Sequence, residues 1–239
     1  MNGFDPARQV VYEDNHLLVV NKRAGQIVQG DKTGDLPLSE AIKEWIRERD
    51  HKPGNVFLGV VHRLDRPVSG LVVFAKTSKA LARMNAMLVR REIKKVYLAV
   101  TRKSLPDTSG RLEHYLFKNQ EKNKSFASER PKSSWKKAVL EYRLLASEKE
   151  RHLVAVRLET GRHHQIRVQL AKIGCPIAGD LKYGGGPASD RFSIGLHSAR
   201  MEFIHPVSRT FLSFTAPFPS KSVWDPFRNT TVESWTEIF

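Results

Sequence analysis

VVHRLDRPVSGLVVFAK, running from Val60 to Lys76, decides how the rest of the chain is read. Residues 57–61 and 71–75 are short apolar runs, β-branched or aromatic and bounded by turn residues, so both read as buried strands. Between them lies a polar loop from His62 to Gly70, in which one carboxylate, Asp65, stands between Arg63 and Arg66. Positive neighbours keep a carboxylate ionised against the opposing effect of burial. A pre-charged acid at the edge of a core can serve as a nucleophile or a base. An aspartate in a loop can also just pair with a flanking arginine and close a turn. The surrounding chain has to separate these two readings.

Charge is the first guide. The chain has 239 residues, with 40 Lys and Arg against 25 Asp and Glu, a net charge of +15. Such a field favours a polyanion, and nucleic acid is the first candidate. The single cysteine, Cys175, excludes an internal disulfide and a cysteine-rich zinc site. The first residues, MNGFDPARQ, lack the basic and apolar regions of a secretory signal. No apolar run approaches the roughly 20 residues that span a bilayer. The expectation is a cytoplasmic protein, with no membrane association and no heptads to suggest a coiled-coil oligomer, hence a monomer.

Residues 9–13 and 16–21 read as strands around Asp14 and Asn15. Leu38, Ala41, Ile42, Trp45 and Ile46 have the spacing of an amphipathic helix, with Asp35 as its expected cap and Pro37 in its first turn. A second helix is expected from Thr77 or Ser78 to about Arg91, with Leu81, Met84 and Leu88 inward. Residues 94–101, KKVYLAVT, read as a strand in which Tyr97 faces away from Val96 and Leu98. Residues 119–137 read as a long, mobile, basic segment. Lys122, Lys124, Arg130, Lys132, Lys136 and Lys137 are interleaved there with Phe126 and Trp135, a mixture suited to phosphates and bases. A plain solvated loop explains it nearly as well. Residues 137–146 and 151–160 alternate like an antiparallel pair. In residues 160–174, TGRHHQIRVQLAKIG, Ile166, Leu170 and Ile173 share one helical face and Gly174 stops the helix. Arg167 at the edge of that stripe needs a carboxylate partner, and Asp65 is the expected one. Gly184 to Gly186 imply a flexible loop. Residues 196–204 and 211–215 read as a final hairpin. Trp224 and Trp235 are expected to pack back onto the domain. Adjacent His163 and His164 are expected to diverge, and no HExxH pattern occurs, so no metal is expected.

HRLDRPVSG closely resembles the signature of the RluA-type pseudouridine synthases, enzymes that isomerise uridine in RNA. KxYLAV, TGRHHQIR and GDLKYG are similar to that family's later motifs, and they follow in the same order. One departure is Arg23, where the family's first motif has proline after the lysine that Lys22 matches. The resemblance covers nearly the whole chain. It implies one catalytic domain over residues 1–239, an α+β fold around a mixed, mostly antiparallel sheet with flanking helices. No additional N-terminal RNA-binding domain is expected. The implied reaction conserves atoms and requires no cofactor. The resemblance assigns catalysis to Asp65, Tyr97 and Arg167. It gives base flipping and RNA contact to Arg63, with His62, Arg162 and His164 in support. Lys122, Lys124, Lys136 and Lys137 are candidates for the backbone of a tRNA or rRNA. The rival readings are a non-catalytic basic RNA-binding module and a metal-dependent nuclease.

Overall fold

The computed structural model describes residues 3–31, 33–188, 192–220 and 222–230. The elements in chain order are α1 (Pro6–Gln9), β1 (Val10–Glu13), β2 (Leu17–Lys22), α2 (Leu38–Arg49), β3 (Gly59–Val60), β4 (Ser69–Ala75), α3 (Ser78–Val89), β5 (Lys94–Thr101), β6 (Ser109–Asn119), β7 (Lys124–Ser128), β8 (Lys136–Glu148), β9 (Arg151–Leu158), α4 (Gln165–Lys172), β10 (Leu196–Ile204) and β11 (Phe211–Thr215). They fall into two compact units, divided in the chain at 93/94, 199/200 and 217/218.

The first unit is built on β4. The Asp14 carboxylate accepts from the backbone N–H groups of His16 and Leu17, 2.7 Å each, and so closes the turn from β1 into β2. β2 pairs antiparallel with β4 from Leu17↔Ala75 to Lys22↔Gly70, and β3 pairs antiparallel with β4 at Gly59↔Ala75 and Val60↔Phe74. The two strands expected around the Asp65 loop are therefore partners, although β3 is only two residues long and β4 begins at Ser69. Leu17, Val19, Leu71 and Val73 pack with Met84 and Met87 of α3 and with Phe203 and Phe214. Thr77 caps α3 by accepting from Ala80 N at 3.2 Å. Asp35 does not cap α2. Pro37 holds that position, its ring presetting the backbone, and Asp35 instead pairs with Arg66 at 2.7 Å.

In the second unit the strand order is β5-β9-β8-β6-β7, antiparallel throughout. Residues 119–137 are not one long loop: β7 pairs with β6, Phe126 opposite Phe117. The strand is hidden in the sequence because the residue it buries is Ser125, whose hydroxyl donates to the His163 carbonyl at 2.7 Å. α4 is buried at every position from Gln165 to Leu170 rather than along one stripe. Gln169 Nε2 donates to the carbonyls of Leu112 and Ala138, whereas its Oε1 has no partner among the described residues. The glycine run is a tight turn and not a flexible loop. Gly185 N donates to Asp180 O at 2.8 Å, and a Cβ there would stand 1.7 Å from the Ile177 carbonyl oxygen. Trp224 packs with Leu98, Leu153 and Phe227, whereas Trp235 lies outside the described residues.

Candidate active site

In the first unit the loop between β3 and β4 starts at His62, whose Nε2 accepts from Val73 N at 3.2 Å and so fastens the loop to the middle of β4. Leu64 and Val68 are buried on either side of Asp65, which is itself half-buried. Val68 N closes a turn onto the Asp65 carbonyl at 3.0 Å. Arg63 is exposed and forms no hydrogen bond or ion pair among the described residues. It therefore does not neutralise Asp65, and the simple turn-pair reading through Arg63 fails.

A cation beneath the loop is Lys22, which sequence reasoning left without a role. It ends β2, fully buried, with its ammonium donating to the carbonyls of Arg23 at 3.0 Å and Arg66 at 3.2 Å. Burial pushes Lys22 down to about 7, while the Asp65 charge opposes the fall and the Arg66 charge adds to it. A lysine closing an otherwise apolar strand, LLVVNK, was the available clue. The consequence for stability has a definite sign. The unfolded chain keeps this proton up to the ordinary value of 10.5, whereas the folded chain releases it above about 7. Between those limits unfolding takes up a proton, so stability rises with pH, by at most about 1.4 kcal/mol per pH unit for one group. Lys22→Met should lose that part of the slope between pH 7 and 10. Urea unfolding of both proteins across the range checks it, and parallel curves would refute the role of Lys22.

In the second unit Tyr97 lies on β5, 6% exposed. Arg167 is 5% exposed on α4, and Asp180 holds it with both oxygens, Nε to Oδ2 at 2.7 Å and Nη2 to Oδ1 at 2.9 Å. The Tyr183 ring lies 5.2 Å from the same guanidinium. Both partners belong to the GDLKYG turn, which sequence reasoning read only as a family match. Thr160, Arg162 and Gln165 shape the turn into α4. Gln165 Oε1 accepts from Arg162 N at 2.9 Å and Gln165 Nε2 donates to Val139 O at 3.0 Å. Arg162 itself is exposed, its Nε donating to Lys137 O at 3.1 Å. His163 and His164 do not diverge. His164 takes the left-handed conformation, φ 54°, which folds its ring onto that of His163 at 3.7 Å. His164 is 8% exposed, with Nδ1 2.8 Å from the Tyr183 hydroxyl, so it supports the turn from within.

The β6–β7 hairpin carries the basic candidates. Between residues 117 and 137 seven Lys and Arg face two Glu in number. Phe117 and Phe126 are 39% and 40% exposed, and Trp135 stacks on Phe117 at 5.7 Å. Lys132 lies 4.8 Å above the Trp135 ring and Lys124 5.2 Å from that of Tyr183. The side chains of Lys122 and Lys136 form no hydrogen bond or ion pair among the described residues, whereas Lys137 pairs with Glu113 at 2.6 Å.

Residues 16–172 match the family model described as RNA pseudouridylate synthase. The chain belongs to the RNA pseudouridylate synthase family. It is 34% identical over 221 residues to ribosomal large subunit pseudouridine synthase D of Zymomonas mobilis, covering 88% of this chain and 69% of that one. An RNA pseudouridine synthase of Bacillus subtilis, YhcT, is 33% identical over 88% of this chain and 68% of its own length. The fold is that of the family. The structure titled Human RNA Pseudouridylate Synthase Domain Containing 4 aligns with a TM-score of 0.75 at 22% identity, over 90% of each chain. As a pseudouridine synthase this protein is an isomerase that acts on RNA. Its departure from the family at Arg23 is compensated locally. Arg23 N donates to Gln26 Oε1 at 2.9 Å, so a side-chain amide holds the turn that proline would stiffen. No helix among the described residues is long and apolar enough to cross a membrane.

Proposed function

We propose that the chain converts uridine to pseudouridine in structured ribosomal or transfer RNA, with Asp65, Tyr97 and Arg167 acting on one flipped nucleotide. The observation that carries this is the Asp65 loop, an acid fixed over a buried lysine in a chain of this family. The reaction breaks the bond between uracil N1 and ribose C1′, turns the detached base, and joins C5 to C1′. The proton on C5 leaves and N1 ends protonated, so no atom is gained or lost and no cofactor is needed. Asp65 supplies the anion at the sugar or base. Arg167 supplies the cation that keeps Asp65 charged and aimed. Tyr97 gives the detached uracil a ring to lie on, and its hydroxyl is a base for the C5 proton. Arg63, exposed and unpartnered, suits the gap that the flipped base leaves. Arg162, Lys122, Lys124 and Lys136, with the Phe117–Trp135 stack, suit phosphates and unpaired bases; Lys137 joins them at the expense of Glu113. His62 and His164 act through the backbone and side chains they hold.

In this reading the two units work as one catalytic domain, supported by a family match that runs through both. The enzyme works as a monomer in the cytoplasm, where its single thiol stays reduced. Large-subunit ribosomal RNA is the first substrate to try, because the relatives named D carry that assignment. The test is tritium release from RNA labelled at uracil C5, with ribosomal and transfer RNA transcripts assayed separately. Release from one pool establishes the reaction and names the substrate class. Tight binding of both pools without release would leave the non-catalytic module standing.

A further inference from the structure

Recessed cations among the described residues have partners. Lys22 holds two carbonyls, Arg167 holds Asp180, and Lys76 donates to the Asp14 carbonyl at 2.7 Å. Lys95 is the exception. It is half-buried on β5, beside an exposed Lys94, and among the described residues it forms no hydrogen bond or ion pair. Burial lowers its proton affinity, and no neighbouring charge opposes that. An ammonium withdrawn from water without a counter-charge is costly, and the cost is recovered when an anion arrives.

Its position indicates which anion. Residues two apart on a strand project to the same face, so Lys95 and Tyr97 point the same way, with Cα atoms roughly 6.6 Å apart. A single nucleotide spans that interval from base to phosphate. We infer that Lys95 binds a backbone phosphate of the nucleotide whose base Tyr97 receives. This rests on the proposed function for its ligand, since RNA brings one phosphate with every base. Lys95 thereby joins Tyr97 as a substrate contact on the same strand, and it is a binding residue with no part in proton transfer.

The experiment is a salt titration of binding to a fluorescent 20-nucleotide oligouridylate, using the full chain. Lys95→Met should weaken binding about tenfold and make the plot of log K against log salt shallower by about 0.7, the loss of one single-strand phosphate contact. Lys95→Arg should keep the slope. Lys43→Met is the control, because it makes the same change of charge on a residue already tied to Glu40 at 2.9 Å. In turnover, Lys95→Met should raise KM and leave kcat at saturating RNA near that of the wild type. A Lys95→Met slope equal to that of the wild type, or shifted no more than in Lys43→Met, overturns the inference. A merely structural lysine would alter the melting temperature and not the slope. Binding needs no turnover. A wild type that forms no pseudouridine yet shows the Lys95-dependent slope would refute the proposed reaction and uphold the phosphate contact.

Discussion

Asp65→Asn should slow pseudouridine formation at saturating RNA by on the order of 10³-fold or more, the scale on which enzymes lose a positioned acid–base or nucleophilic group. Asparagine keeps the size and the turn, since Val68 N bonds to the backbone carbonyl of residue 65 and not to its side chain. Leu64 and Val68 remain buried and His62 remains on β4, so the melting temperature should stay close to that of the wild type. RNA affinity should be retained, because phosphate contacts dominate binding and the change removes a negative charge. Single-turnover tritium release, thermal melting and RNA titration together separate the outcomes. A variant that binds and folds but does not release tritium fits the reading. A variant with wild-type release would remove Asp65 from the chemistry.

Asp180→Asn should cost about 3 kcal/mol of stability, because it takes the countercharge from a buried guanidinium. The side chains of Arg167 and Asp180 are 6% and 1% exposed, and their two hydrogen bonds run in parallel, the geometry in which a carboxylate grips arginine most strongly. An amide offers one oxygen and turns its N–H₂ toward a cation. Arg167 then loses its fixed aim, and turnover at saturating RNA should fall about 10²-fold, with RNA affinity little changed. Urea unfolding and single-turnover rates test both parts. Arg167→Met with Asp180→Leu should be more stable than Asp180→Asn alone, since an apolar pair can replace a buried ion pair where a broken pair cannot survive cheaply. The double variant should have no activity. If Asp180→Asn were as stable and as active as the wild type, the pair would be incidental to Arg167.

What the sequence revealed depended on how far each residue's partner lay from it in the pattern. β2, β4, β5 and the β10–β11 hairpin announced themselves because most of their buried residues are apolar and alternate or run together. β7 and the inner face of α4 did not, because Ser125, Gln165 and Gln169 are buried through hydrogen bonds that a hydrophobic pattern cannot show. The motif loop identified Asp65 but not Lys22, whose contact with the Arg66 carbonyl spans 44 residues. For Arg167 the need for a carboxylate was legible, but Asp180, which grips it from the GDLKYG turn, was not singled out. Asp180 lies in a turn whose glycines read as slack, and the bond from Gly185 N to the Asp180 carbonyl with the close approach of residue 185 to the Ile177 carbonyl shows that the turn is closed. His163 and His164 were misjudged for a backbone reason, since one left-handed residue reverses the usual divergence of neighbours.

β7 ends the strand order of its unit, and it has a consequence for how molecules of this protein meet one another. A terminal strand leaves a row of backbone donors and acceptors that another chain can extend, and exposed aromatics such as Phe126 would favour that pairing. Lys122 and Lys124 at one end of the strand and Arg130 and Lys132 beyond the other place like charges against any incoming copy. The cations that suit a nucleic acid thus also act as gatekeepers against edge-to-edge aggregation, so neutralising them to weaken RNA binding should lower solubility as well.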